Sequence, residues 1–288
     1  MTMAGSEPLW TPMPLIRVTA EFFTDKGIDS ARLDAELLLA HVLGCTRLQL
    51  YLDSDRPIVP DELNRYRELV KRRGRREPLQ LLIGHVEILE HEFLVRPGVF
   101  IPRPETEVLI EVCRGLDLPE SPTIVEVGVG TGCVGLSLMM HFAGASLIGF
   151  DVNPRAIELT GVNAERLGLR SRVELREGDA LEPGLPSCDL LVSNPPYVPG
   201  PVLESLQPEV RDHDPPEALD GGPGGLDFLR RLVPLAARAV RPGGWIALEH
   251  GDEQGAAVVA LVSQSGFGDV EVVSDLAERD RVTVGRLA

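Results

Sequence analysis

Asn194, Pro195, Pro196 and Tyr197 stand directly after the run Asp189-Leu-Leu-Val-Ser193. Adjacent prolines fix the backbone and carry no N–H, so the carbonyls exposed there can only accept hydrogen bonds. Asn194 adds a side-chain oxygen, and Tyr197 an aromatic face. The guest that suits two convergent acceptors is a planar NH2 group. The Asn194 side-chain oxygen and the Pro195 carbonyl each take one of its hydrogens, and Tyr197 packs on its flat side. That arrangement aims the nitrogen out of its plane towards a methyl donor. An amide nitrogen is a poor nucleophile, so orientation and removal of water must supply most of the acceleration, up to ~7–11 kcal/mol in favourable cases. No strong general base is needed, because the methylated nitrogen is acidic and loses its proton easily.

A second constellation lies upstream, in Thr123-Ile-Val-Glu-Val-Gly-Val-Gly-Thr-Gly132. Three alternate glycines after a buried strand permit a tight turn and let a ligand approach the backbone. Gly128, Val129, Gly130, Thr131 and Gly132 are therefore candidates for holding a cofactor. Gly130 to Gly135 also matches G-x-G-x-x-G, and Asp151 follows Gly130 by 21 residues. That is the spacing of a dinucleotide fingerprint, with the acid on the ribose hydroxyls. Ribose belongs to NAD and to S-adenosylmethionine alike, so this stretch does not separate them; Asn194–Tyr197 does, in favour of the methyl donor. In Gly178-Asp-Ala180, Asp179 and the Ala180 N–H are placed to read an adenine edge. Asp179 also fits as a plain turn residue.

The elements that must carry these residues alternate. Strands are expected at 123–127, 146–150, 173–176, 189–192, 244–248, 270–273 and 281–285, with helices at 133–142, 154–167, 226–240 and 254–265. Such alternation predicts an α/β fold, a mainly parallel seven-stranded Rossmann-like sheet covered on both faces, with an antiparallel hairpin at one edge. Residues 13–78 read as helices. Ser30 is the expected N-cap of the helix ending at Gly44, and Leu63, Tyr66, Leu69 and Val70 form one stripe. The run Lys71-Arg-Arg-Gly-Arg-Arg76 reads as a solvated helix end or as a docking patch. Residues 84–100 form a strand pair, and the helix through Arg114 starts at Thr106 or Pro104.

The chain has 288 residues and a formal net charge of −16. Residues 1–100 hold 13 basic and 15 acidic side chains, and residues 101–288 hold 15 and 29. So acidic a catalytic region argues against nonspecific nucleic-acid binding, which needs neutralised phosphates. Cys45, Cys113, Cys133 and Cys188 show no C-x-x-C spacing, which fits a reducing cytoplasm and no zinc. Neither a signal sequence nor a membrane span is expected. His250 reads as a structural histidine. His213 stands in a Pro-rich loop that could line a peptide channel, and Gly221–Gly225 is a turn without the lysine of a phosphate loop.

Taken together, these residues resemble the release factor glutamine methyltransferases, the HemK or PrmC family. The likeness spans nearly the whole chain. It rests on Gly84-His-Val-Glu-Ile-Leu-Glu-His-Glu-Phe-Leu-Val95, on Phe100-Ile-Pro-Arg-Pro-Glu-Thr-Glu107, and on the glycine loop. It continues in Asp151-Val-Asn-Pro154, Asn163-Ala164, Asn194–Tyr197, Glu217-Ala-Leu-Asp-Gly-Gly222, Leu248-Glu-His-Gly251 with Gln254, and Asp280–Gly285. The sequence departs at Glu126, where the family usually has Asp, at Val129, where Thr is common, and after Gln80, where an aromatic is often seen.

The resemblance implies transfer of a methyl group from S-adenosylmethionine to N5 of the glutamine in the Gly-Gly-Gln loop of a peptide-chain release factor. It implies a cofactor site at Gly128 to Gly132, Asp151, Ala180 and Asn194, a glutamine site at Asn194 to Tyr197, and a linker bearing Phe100 and Arg103 over the cofactor. The expected organisation is a helical docking domain (1–83), a hairpin linker (84–100) and a methyltransferase domain (101–288), acting as a monomer without stable nucleic-acid or membrane partners. Rival readings are glutamine methylation of a ribosomal protein, N6-adenine or N2-guanine methylation of nucleic acid, an NAD-dependent oxidoreductase, and a catalytically silent binding module. The oxidoreductase should show a second mononucleotide half, and none is seen.

Overall fold

The computed structural model describes residues 10–182 and 184–288. The start of the first expected domain and part of the stretch searched for a signal sequence (residues 1–9) lie outside the described residues. The chain divides into two compact units after Gly84.

The first unit is helical: α1 (Pro12–Asp25), α2 (Ala31–Leu43), α3 (Arg47–Leu52), α4 (Pro60–Arg73) and α5 (Leu79–Ile83). Proline opens α1 and α4, where its missing N–H would be unpaired anyway. Phe23, Leu38, Leu39, Leu50 and Tyr66 form the centre of a separate core. Ser30 does not cap α2 in the expected way; its hydroxyl donates to Asp34 at 2.7 Å. Asp34 is buried and is engaged by Arg73 Nε at 2.6 Å. The basic run is thus mixed: Arg73 is buried, while Lys71, Arg72 and Arg75 are exposed at the helix end. Arg73 is 5% exposed, Arg72 pairs with Glu77, Lys71 pairs with Glu68, and Arg76 donates to the Gly27 carbonyl. These bonds hold the unit to itself.

In the second unit the hairpin β1 (His85–Ile88) and β2 (His91–Leu94) pairs antiparallel. Ile88 and Phe93 are buried in the same core as Leu109 and Ile110 of α6 (Thr106–Arg114). The alternating part follows: β3 (Thr123–Val127), α7 (Cys133–His141), β4 (Ser146–Asp151), α8 (Pro154–Arg166), β5 (Val173–Glu177) and β6 (Cys188–Ser193). After a short α9 (Pro208–Arg211) come α10 (Asp227–Ala239), β7 (Val240–Glu249), α11 (Gly255–Gln264), β8 (Phe267–Ser274) and β9 (Asp280–Leu287). The seven strands lie in the order β5-β4-β3-β6-β7-β9-β8. The first five pair in parallel, while β9 runs antiparallel to both β7 and β8.

Strand β7 starts four residues earlier than expected, because Val240 already pairs with Cys188 and the ladder absorbs Arg241–Gly243 as an irregularity. One apolar cluster joins the sheet to α6, α7 and α8, and another joins it to α10 and α11. Strand order reverses between β3 and β6, so a crevice opens at their carboxyl ends, where open α/β sheets take ligands. Among the described residues no helix is long and apolar enough to cross a membrane.

Candidate active site

A cavity of about 800 Å³ occupies that crevice, within the roughly 300–1,000 Å³ of small-molecule sites. It is lined by Phe100, Arg103, Gly128, Val129, Gly130, Thr131, Asp151, Asp179, Ala180 and all four residues of Asn194–Tyr197. Gly132 is not among the lining residues. It has φ +81°, starts α7, and a Cβ there would come within 2.8 Å of Thr160 Cγ2. Its contribution is the turn.

The glycine loop is held from beneath. Gly128 and Val129 donate to the Phe150 carbonyl at 2.8 and 3.0 Å. The Thr160 hydroxyl donates to the Gly130 carbonyl at 3.0 Å. Asn163 Nδ2 donates to Thr131 O at 2.8 Å, and its side-chain oxygen accepts from Leu94 N–H at 2.9 Å, tying loop and hairpin together. Asp151 ends β4 and accepts from the N–H groups of Gly130 and Asn153, each at 2.9 Å. Burial raises its pKa, and those two backbone donors oppose the rise. Asp179 is first of all a turn residue: it accepts from Leu181 N–H at 2.9 Å and from Arg231 at 3.3 Å, so both its oxygens are engaged. Glu126, at the departure from the family pattern, is buried and accepts from Gly135 N–H at 3.0 Å. Burial, with Asp151 nearby, pushes its carboxyl up to about 8.

Strand β6 delivers Asn194, and Ser193 secures that strand end by donating to the buried Val127 carbonyl at 2.6 Å. Asn194 Nδ2 donates to Thr106 Oγ1 at 3.2 Å. Its own side-chain oxygen and the Pro195 carbonyl accept no hydrogen bond from the described residues. Two acceptors thus stand unclaimed in one cavity with the glycine loop. The Tyr197 carbonyl is clamped by Gln254 Nε2 at 2.9 Å, and Gln254 Oε1 accepts from Gly251 N–H at 2.9 Å. The linker is fastened too. Arg103 stacks 5.2 Å from the Phe100 ring centroid and pairs with Asp214, which also accepts from Ile101 N–H at 3.1 Å.

Three contributors escaped the sequence reading as site residues. Glu249 is 1% exposed and accepts from the Tyr197 hydroxyl at 3.2 Å. Thr106 and Asp214 are buried as well. The signal for Glu249 was its place at the carboxyl end of a predicted strand, and for Thr106 its place in the motif Phe100–Glu107. His250 is a satisfied core histidine, bonded to the Gly251 carbonyl at 2.9 Å and to Thr283 Oγ1 at 2.8 Å. His213 does not line the cavity. Among the described residues no cluster of His, Cys, Asp or Glu could hold a metal ion.

Two family models match the chain: the PrmC N-terminal domain at residues 15–84 and the methyltransferase small domain at residues 90–206. A release factor glutamine methyltransferase of Geobacter sulfurreducens is 42% identical over 99% of this chain and 100% of its own length. The chain belongs to the release factor glutamine methyltransferase family. Other members, from Chlorobaculum tepidum and Mycobacterium tuberculosis, are 39% and 41% identical over 96% and 92% of the chain, and 97% and 88% of their own lengths. A T. thermophilus 16S rRNA N2 methyltransferase, solved in complex with AdoMet and guanosine, aligns with a TM-score of 0.51 at 21% identity. That alignment covers 71% of this methyltransferase and 50% of the rRNA enzyme, and it shows the fold.

Proposed function

We propose that this methyltransferase moves a methyl group from S-adenosylmethionine to the N5 side-chain amide of the glutamine in the Gly-Gly-Gln loop of a peptide-chain release factor. The observation that carries the reading is the pair of unclaimed acceptors, Asn194 Oδ1 and the Pro195 carbonyl, in the cavity whose floor is the glycine loop. The cavity suits the cofactor because the loop presents bare backbone and the Asp151 carboxylate matches a ribose diol. When bound, S-adenosylmethionine supplies an electrophilic methyl group. Gly128 to Thr131, Asp151, Ala180, Phe100 and Arg103 would hold it. Asp179 supports that part of the wall as a turn.

The chain's own residues do the rest by position. Asn194 Oδ1 and Pro195 O each accept one N–H of the glutamine amide, and Tyr197 flanks its plane. Fixing both hydrogens leaves the nitrogen no orientation except the reactive one. The apolar neighbours Pro195 and Pro196 exclude water. The proton lost after transfer passes to solvent, so no buried base is required. The same two acceptors would also suit an adenine or guanine NH2, but a net −14 over residues 101–288 repels a phosphate chain.

The experiment incubates the protein with radiolabelled S-adenosylmethionine and unmethylated release factor, with ribosomal proteins, DNA and RNA in parallel. Label on the release factor that disappears when its Gly-Gly-Gln glutamine is replaced is the expected result. Label confined to ribosomal protein or nucleic acid overturns the choice of substrate.

A further inference from the structure

The geometry points to Asp214 as a positioning residue for the cofactor: it ties the loop that follows Tyr197 to the linker before α6, and so fixes Phe100 and Arg103 in the cavity wall. The inference rests on the cofactor reading given above.

The loop needs such a tie. It leaves the sheet at Val198 and returns at Leu219, where Val198 N–H donates to the Leu219 carbonyl and Gly221 N–H to the Val198 carbonyl, both at 2.9 Å. From Pro199 to Ala218 only Asp214 and Pro215 are buried. A surface loop with so little burial has few contacts to hold its middle in one place. Yet Leu206, Val210 and Pro215 line the cavity, as do Phe100 and Arg103 of the linker. Two segments far apart in the chain thus share one wall.

Asp214 joins them with both its oxygens. Oδ1 accepts from the Ile101 N–H at 3.1 Å, and Oδ2 accepts from Arg103 Nη2. The Arg103 guanidinium in turn lies 5.2 Å from the Phe100 ring centroid. A planar guanidinium can pair at its edge and stack by its face at once, which a lysine ammonium cannot. One carboxylate therefore holds Phe100 twice, through the N–H of the next residue and through the cation on its ring. Asp214 is 4% exposed and does not itself line the cavity. Its role is exerted through its neighbours. A buried carboxylate is costly unless it is paired, so the ties to Ile101 and Arg103 are strongly preferred to their loss. Side chains already fixed by the chain lose less freedom on binding, and that tightens binding without a new contact.

The test measures S-adenosylmethionine binding by calorimetry, well below the Tm of each protein, on the full chain as wild type, Asp214→Asn, Arg103→Ala and the double variant. Asparagine keeps the shape and an acceptor for Ile101 N–H, but it has no charge to hold Arg103. Asp214→Asn should raise the Kd about tenfold. Because Asp214 acts through Arg103, the double variant should bind within about twofold of Arg103→Ala alone. Hydrogen exchange without cofactor gives a second readout: in both single variants residues 207–214 should exchange about tenfold faster or more, while the sheet is unchanged. A Kd for Asp214→Asn within about twofold of wild type, or losses that multiply in the double variant, overturns the proposal and leaves Asp214 a structural ion pair. Arg103→Ala answers alone if the asparagine variant does not fold, since unchanged exchange at residues 207–214 then overturns the tie. A wild type that binds no S-adenosylmethionine overturns the cofactor reading and this inference with it. Wild-type binding with an unchanged Asp214→Asn overturns this inference alone.

Discussion

The Asn194 side chain makes one hydrogen bond with the described residues and, on the proposed reading, keeps its oxygen for a guest, so removing it should strike the reaction far more than the fold. Asn194→Ala is expected to lower kcat on the order of 10²-fold or more, the usual loss for a single preorganised polar contact. The glycine loop and Asp151 remain, so S-adenosylmethionine should still bind in a calorimetric titration. Near-normal turnover would remove Asn194 from the role given to it. Glu126 makes a different prediction, in stability. Its folded pKa, about 8, lies above the ordinary carboxylate value because the group is buried. The folded state therefore holds its proton while the unfolded chain releases one, and the stability tied to it falls as pH rises from the unfolded value through about 8. Glu126→Gln cannot ionise. Its Tm relative to wild type should climb across that range by on the order of 3 °C per pH unit at most, then level off. A difference in Tm that is flat with pH would mean that Glu126 is ionised in the folded protein.

At the scale of elements, the site depends on where strand ends are clamped. Gly225 lies in the turn before α10 at φ +72°, and a Cβ there would come within 2.3 Å of the Tyr197 carbonyl and 2.4 Å of Gln254 Nε2. Gly225→Ala should break the Gln254 clamp on Tyr197, lowering stability by about 1–3 kcal/mol and kcat by roughly tenfold or more. Urea unfolding and methyl-transfer kinetics on the same preparation would show it; a variant with wild-type values in both would mean that the loop relaxes freely. The sequence announced this turn as a break between elements but not as part of the site, because the contact it makes is 28 residues away along the chain. The same distinction runs through the fold. The parallel strands, the glycine loop and Asn194–Tyr197 were legible, since buried apolar runs and glycine or proline spacing are local signals. Glu249, Asp214 and the Arg73–Asp34 pair were not. Each draws its meaning from a partner at least 39 residues away, and no pattern of neighbours encodes that. Ser30 erred for the opposite reason: its local signal was sound, but Asp34 competed for the hydroxyl.

For the molecule as a whole, the decisive fact is that the two units have separate cores. The cluster built on Phe23, Leu38, Leu39, Leu50 and Tyr66 uses only residues before Gly84, and the clusters flanking the sheet use only residues after it. Ile88 and Phe93 place the hairpin with the sheet, so the natural cut falls between Gly84 and His85 rather than inside the hairpin. The cavity, too, is lined entirely by residues from Val99 onwards. A protein of residues 85–288 should therefore fold cooperatively and bind S-adenosylmethionine within about threefold of the full chain's affinity, because nothing that touches the cavity is removed. If the helical unit docks the release factor, its loss removes a docking surface but no residue that lines the cavity. The KM for release factor should then rise about tenfold or more, while kcat/KM for a short glutamine peptide, which lacks the rest of the release factor, changes little. Equal losses on both substrates would mean that the helical unit shapes the active site itself, and no loss on either would leave it without a part in choosing the substrate.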